Sequence, residues 1–146
     1  MIVLKERSIG AVVFNKKNFE TKFLLLHYNA GHWDFVKGHV EENEADFQTL
    51  WREFEEETGI LKENAEIIPG FSSRITYFYK KHDKSVFKEV ILYLVRTKAR
   101  DIQISKEHKG FAWLGFEDAV KKATFEAAKK ALRDARDFLK QKDFLP

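Results

Sequence analysis

The chain has 146 residues, 44% of them hydrophobic, with 14 Phe, which suits one compact domain able to bury about two-thirds of its unfolded surface. It has no Cys, which excludes disulfides and thiol catalysis and leaves zinc only His and carboxylate ligands. A net charge of +3, from 26 Lys+Arg against 23 Asp+Glu, helps attract a polyphosphate but is too small to argue for a duplex nucleic-acid partner.

Residues 1–7 show no secretory-leader pattern, and no apolar run approaches membrane-spanning length. The expectation is a cytoplasmic protein without a membrane partner. No low-complexity linker or internal repeat divides the chain, so a single domain over 1–146 is expected. Residues 8–14 and 22–28 read as strands, joined by a polar turn at 15–18. A short strand at 33–36 leads into Gly38. The next pattern is a helix over 44–58, with Asn43 as N-cap and Gly59 ending it. Pro69-Gly70 marks a turn. Residues 72–79 and 87–96 then form a strand pair across a polar loop at 80–85. A last strand at 110–114 precedes a helical pattern over 116–141, interrupted near Ala123-Thr124. Trp33, Trp51 and Trp113 are assigned to the core. Strands covered by helices on both sides fit an α/β/α arrangement.

The chemistry concentrates on the helix over 44–58. Glu53, Glu56 and Glu57 stand at i, i+3, i+4 and project from one side. At roughly 100° per residue, Phe47, Leu50, Trp51 and Phe54 form a stripe centred roughly 115° away. Like charges at this spacing repel by roughly 0.2–0.5 kcal/mol per pair, and only Arg52 offers local relief. A hard divalent cation would remove the repulsion, and clustered oxygens suit Mg²⁺. A solvated acidic face is the alternative reading of the helix alone.

The wider spacing is more specific. Gly38, Glu44 six residues later, then Arg52-Glu53-Phe54-x-Glu56-Glu57-x-Gly59-Ile60 satisfies the pattern Gly-x5-Glu-x7-Arg-Glu-U-x-Glu-Glu-x-Gly-U, where U is bulky and apolar. Phe54, an aromatic at the first U, is a mild departure. This stretch resembles the Nudix box. Flanking segments resemble the asymmetric diadenosine tetraphosphate hydrolases of that family. They are Phe23-Leu-Leu-Leu, His32-Trp33, Lys37-Gly38-His39-Val40, Ile68-x-Gly70-Phe71, Tyr77, Ser105-x-Glu107-His108, Trp113-Leu114-Gly115, Phe125, Ala131-Leu132 and Phe138-Leu139. Two departures stand out: Val36 where the family carries proline before Lys-Gly, and an 80–86 loop that is longer than usual.

The resemblance implies a Nudix-type α/β/α sandwich with a mixed sheet. It implies hydrolysis of diadenosine tetraphosphate to ATP and AMP with Mg²⁺, Mn²⁺ being the alternative ion. Glu53, Glu56 and Glu57 become metal ligands, one of them able to act as base, with Glu107 as a second candidate base or extra ligand. Alone, Glu107 reads as an exposed loop carboxylate. Arg52 is expected to orient Glu53, and Glu44 to belong to the motif's frame. Gly38 and Gly59 are expected to permit backbone turns. Lys37, His39 and Lys88 are candidate phosphate contacts, and Tyr77 and Phe125 are candidate adenine platforms. Phe125 also reads as an ordinary core aromatic, and Lys121, Lys122, Lys129 and Lys130 as a solvated helix face. The implied partner is a small dinucleoside polyphosphate bound by a monomer, with no stable nucleic-acid partner. RNA 5′-end pyrophosphate removal is the nearest alternative activity, and a nucleotide-sensing module without catalysis the alternative of another class.

Overall fold

A computed structural model describes residues 3–144, so the ends of the expected 1–146 domain lie outside the described residues. Eight strands among the described residues form one mixed sheet. In chain order these are β1 (Val3–Lys17), β2 (Glu20–Tyr28), β3 (Trp33–Asp34) and β4 (Val36–His39), then β5 (Ala65–Ile67), β6 (Ser73–Lys81), β7 (Lys84–Thr97) and β8 (His108–Leu114). The helices are α1 (Asp46–Thr58), α2 (Phe116–Lys122) and α3 (Glu126–Gln141). The backbone order is β3-β2-β1-β7-β5, with β4 on β1, β6 on β7 and β8 on β2. Only the β1·β7 pair is parallel among the described pairings; it runs from Val3↔Ser85 to Phe14↔Arg96.

Period-2 alternation decides which residues meet which helix. On β1, Ile9, Ala11 and Val13 join Leu24, Leu26, Leu50 and Phe54 in the core under α1. Val12 and Phe14 turn the other way and meet Phe23, Leu25, Ala131, Leu132, Ala135 and Leu139 under α3. Both sheet faces are covered, and the fold is an α/β/α sandwich with a mixed sheet. Each fully buried Leu or Phe contributes about 1.5–3 kcal/mol. Trp33, Trp51 and Trp113 are half-buried and pack against these clusters from their edges.

Several boundaries differ from the sequence pattern. Residues 15–17 continue β1 and pair with β2, leaving a turn at Asn18-Phe19 with Asn18 at φ 60°. The 80–85 segment is no loop. Lys81 pairs with Lys84, and His82 and Asp83 turn the chain at φ 51° and 63°. The expected loop is therefore the end of a hairpin, whose two positive φ values match the twist of the flanking strands. Helix α1 begins at Asp46, with Ala45 as N-cap, whereas Asn43 lies in the preceding turn at φ 65°. The Gln48 carboxamide accepts the Ala45 N–H at 2.7 Å, a bond that compensates for a cap with no side-chain oxygen. Gly59 closes α1 at φ 72° as expected.

Candidate active site

Gly38 lies inside strand β4, opposite Ile9, and its function is space, not a turn. A Cβ there would fall 2.0 Å from the Glu53 carboxyl carbon. The bare backbone lets Glu53 reach over β4 towards the groove. Glu53 is held from the other side by Arg52, whose Nη1 donates to Glu53 Oε1 at 2.7 Å. The same guanidinium donates from Nε to Glu44 Oε2 at 2.7 Å and from Nη2 to the His39 carbonyl at 2.9 Å. Glu44 also accepts the Thr49 hydroxyl at 2.8 Å, and its pKa is held down at about 2, chiefly by Arg52. Arg52 and Glu44 thus fasten the helix to the loop after β4.

The three box glutamates occupy different surroundings. Glu57 is only 2% exposed, on the side of α1 that also buries Leu50 and Phe54, so the acidic face is not uniformly solvated. Its Oε1 accepts the Lys37 backbone N–H at 3.0 Å. Burial above all, then the charges of Glu53 and Glu107, push its pKa to about 8. Burial also raises Glu53, against the pull of Arg52. The Glu56 side chain stays 56% exposed, with Arg52 Nη1 3.5 Å away.

A cavity of about 400 Å³ is lined by Glu53, Glu107, Lys37, Gly38, His39 and Lys88, with Tyr28 and Tyr77 on its walls. Lys88 is 6% exposed, and burial lowers its pKa despite the nearby Glu6 carboxylate. Glu6 is a site residue that sequence reasoning misses. It lies opposite Lys88 across β1·β7, accepts the Tyr79 hydroxyl, and stands 3.7 Å from both Lys88 Nζ and Lys81 Nζ. A second cavity of about 410 Å³ adjoins the first and shares Lys37, Tyr77 and Val90 with it. Its walls include Tyr77, Phe125, Ile75, Leu92, Ala127 and Ala128. Phe125 is the N-cap residue of α3 and 49% exposed, so it faces this cavity and not the core. Asp34, also on the wall, fixes Lys37 by accepting its Nζ at 2.7 Å. His32 stacks on Tyr28 and lies 5.5 Å from the Phe125 ring centroid.

The structure therefore brings Lys37, His39, Glu53, Tyr77, Lys88 and Glu107 to one cavity and Phe125 to the adjoining one, while Glu56 and Glu57 stand outside the lining of both. Among the described residues no three His, Asp or Glu side chains already converge on one point. The donor chemistry nevertheless fits a hard divalent ion. Carboxylates of Glu53, Glu56, Glu57 and Glu107 act on one another electrostatically, and burial disfavours the charge of two of them. A cation held among them would relieve both penalties.

An apolar, aromatic-walled cleft opening onto a cavity of basic and acidic side chains suits a small ligand with a flat apolar ring and an anionic tail. The NUDIX domain profile matches residues 4–135, and the chain belongs to the Nudix family. It is 35% identical over 143 residues to the asymmetrical bis(5′-nucleosyl)-tetraphosphatase of Rattus norvegicus, covering 91% of this chain and 95% of that protein. Its fold superposes on a Caenorhabditis elegans Ap4A hydrolase binary complex with a TM-score of 0.82 at 32% identity, covering 93% of this chain and 98% of the other. A shorter match, 39% identical over 67 residues, reaches an African swine fever virus mRNA-decapping protein and covers 46% of this chain and 26% of that protein. Hydrolases of the Nudix family use a divalent metal.

Proposed function

We propose that this protein cleaves diadenosine tetraphosphate asymmetrically, releasing ATP and AMP, with Mg²⁺ as the working cation and Mn²⁺ as a substitute. The observation that carries this reading is the pairing of the two cavities through Lys37 and Tyr77. One nucleobase stacks between Tyr77 and Phe125, and the polyphosphate runs from there past Lys37, Lys88 and His39 towards Glu53. The match to tetraphosphatases over nine-tenths of the chain supports the same substrate.

Glu53, Glu56 and Glu57 would hold the cation, with Arg52 and the Gly38 gap fixing the approach of Glu53. Bound there, the cation supplies a more acidic water and neutralises charge on the phosphate oxygens. Lys37 and Lys88 offset charge that develops on the polyphosphate, and their own counter-ions, Asp34 and Glu6, keep them aimed into the groove. Glu107, on the cavity wall, is the candidate to take the proton from the attacking water. We assign one domain over 1–146, a monomer, and a cytoplasmic location. No helix among the described residues is long and apolar enough to cross a membrane.

The viral mRNA-decapping match keeps RNA 5′-ends as the second reading. Comparing kcat/KM for diadenosine tetraphosphate with a length series of triphosphorylated oligonucleotides separates the two. The dinucleotide should be preferred at every length; a rate that climbs with added nucleotides and overtakes it would move the assignment to RNA.

A further inference from the structure

Behind the acidic cavity lies a polar group that the proposed chemistry leaves unused. The His108 side chain is fully buried at the start of β8, and its Nε2 has no hydrogen-bond partner. That atom stands 3.7 Å from Glu57 Oε2, too far for a hydrogen bond, and Oε2 is the oxygen of Glu57 that the Lys37 backbone does not occupy. A buried N–H without a partner is costly, and so is a buried carboxylate with one oxygen unserved.

The far side of the ring meets Ser105. Ser105 Oγ accepts the Glu107 backbone N–H at 3.2 Å and sits 2.9 Å from His108 Nδ1. The hydroxyl has one proton to give and two lone pairs to accept with, and giving the proton to Nδ1 is the arrangement that lets an Nε2–H face Glu57. Nε2 then carries hydrogen in the neutral ring, and it carries hydrogen in the cation too. Its direction is fixed by packing: Tyr28 meets the ring edge-on at 4.4 Å.

We infer that His108, oriented by Ser105, is a positioning residue whose Nε2–H becomes the donor to Glu57 Oε2 when Glu57 turns to hold a cation. The inference rests on the proposed metal role of Glu57. One hydrogen-bond chain then runs from the Glu107 N–H through Ser105 and His108 to Glu57. It ties the loop that carries one candidate carboxylate to the helix that carries the others, and it sets their spacing. Such partners of metal-holding side chains commonly change affinity by about 10–100-fold when removed.

The test uses the full chain and two readouts: Mn²⁺ affinity by electron paramagnetic resonance titration without substrate, and kcat and KM for diadenosine tetraphosphate at saturating Mg²⁺. His108→Leu should weaken Mn²⁺ binding at least tenfold and lower kcat, with KM for the dinucleotide changing less than threefold. His108→Gln places an amide N–H near the position of Nε2 and should restore most of both. Ser105→Ala, which frees the ring to take the other tautomer, should fall between. Leu and Gln variants that are equally impaired would reduce His108 to a packing role and overturn the inference. So would a folded Leu variant with wild-type Mn²⁺ affinity and kcat. The proposed activity fails separately: a wild-type protein that binds Mn²⁺ with this variant pattern yet leaves diadenosine tetraphosphate intact would refute the substrate and support the positioning role.

Discussion

Glu53, Glu56 and Glu57 share one helix but not one environment, and the difference predicts how each substitution behaves. Glu56 is exposed and bonded only loosely to Arg52, so Glu56→Gln should leave unfolding free energy within about 0.5 kcal/mol of wild type. Turnover should fall by about a hundredfold or more; an active Glu56→Gln protein would remove Glu56 from the metal-holding set. Tyr77 and Phe125 make a second comparison, because Phe47 is as exposed as Phe125 but packs on Tyr93, away from the groove. If each aromatic contributes about 1–3 kcal/mol of base stacking, Tyr77→Ala and Phe125→Ala raise KM by about 5–150-fold. Phe47→Ala serves as the control and should leave KM unchanged. An equal rise in all three would point to loosened structure and not to a lost platform. The box residues were legible one by one because their spacing lies within a single helix and its approach. Glu6 was not, because its meeting with Lys88 depends on a parallel pairing across more than eighty residues.

At the scale of elements, the sequence marks where strands exist better than where they stop. Lys80 to Ser85 is polar and reads as loop, yet β6 and β7 continue through it, since an exposed hairpin end needs no apolar residues to keep its ladder. Only the two-residue turn itself departs from extended backbone. Asp83 bears a Cβ at φ 63°, so Asp83→Gly should stabilise the fold by about 0.5–1 kcal/mol in chemical denaturation. A loss of stability would mean that the Asp83 side chain makes a contact that the turn depends on. Helix α1 is anchored at its first turn by the Arg7–Asp46 ion pair, with Arg7 also bonded to Glu89 on β7. The hydrogen bond from Arg7 holds the Asp46 carboxyl below its ordinary value of 3.8. A depressed carboxylate stabilises the fold above its unfolded-state pKa and loses that contribution as pH falls through the folded one. Asp46→Asn should therefore reduce stability by up to about 1 kcal/mol near pH 7, after solvent screening of a partly exposed pair. Below about pH 4 the gap to wild type should close. A gap that stays constant down to pH 3 would assign the loss to packing or hydrogen bonding and not to charge.

For the molecule as a whole, the succession of strand and helix patterns made the two-sided sandwich legible, and the continuous apolar runs of β1 and β2 supply both the α1 core and the α3 core. The groove was less so. It forms where β1, β4, β6, β7 and the start of α3 come together, and no local pattern states that Phe125 and Tyr77 share a wall. Motif resemblance supplied Lys37, Lys88 and Glu107 as candidates. The structure places them on one cavity, with Asp34 and Glu6 as the counter-ions that hold the two lysines. The direct measurement is chromatographic analysis of the products from purified protein and diadenosine tetraphosphate, with Mg²⁺ and with EDTA. Equal amounts of ATP and AMP, formed only with the cation, are the predicted result. Two molecules of ADP, or cleavage that survives EDTA, would contradict asymmetric, cation-dependent hydrolysis in this groove.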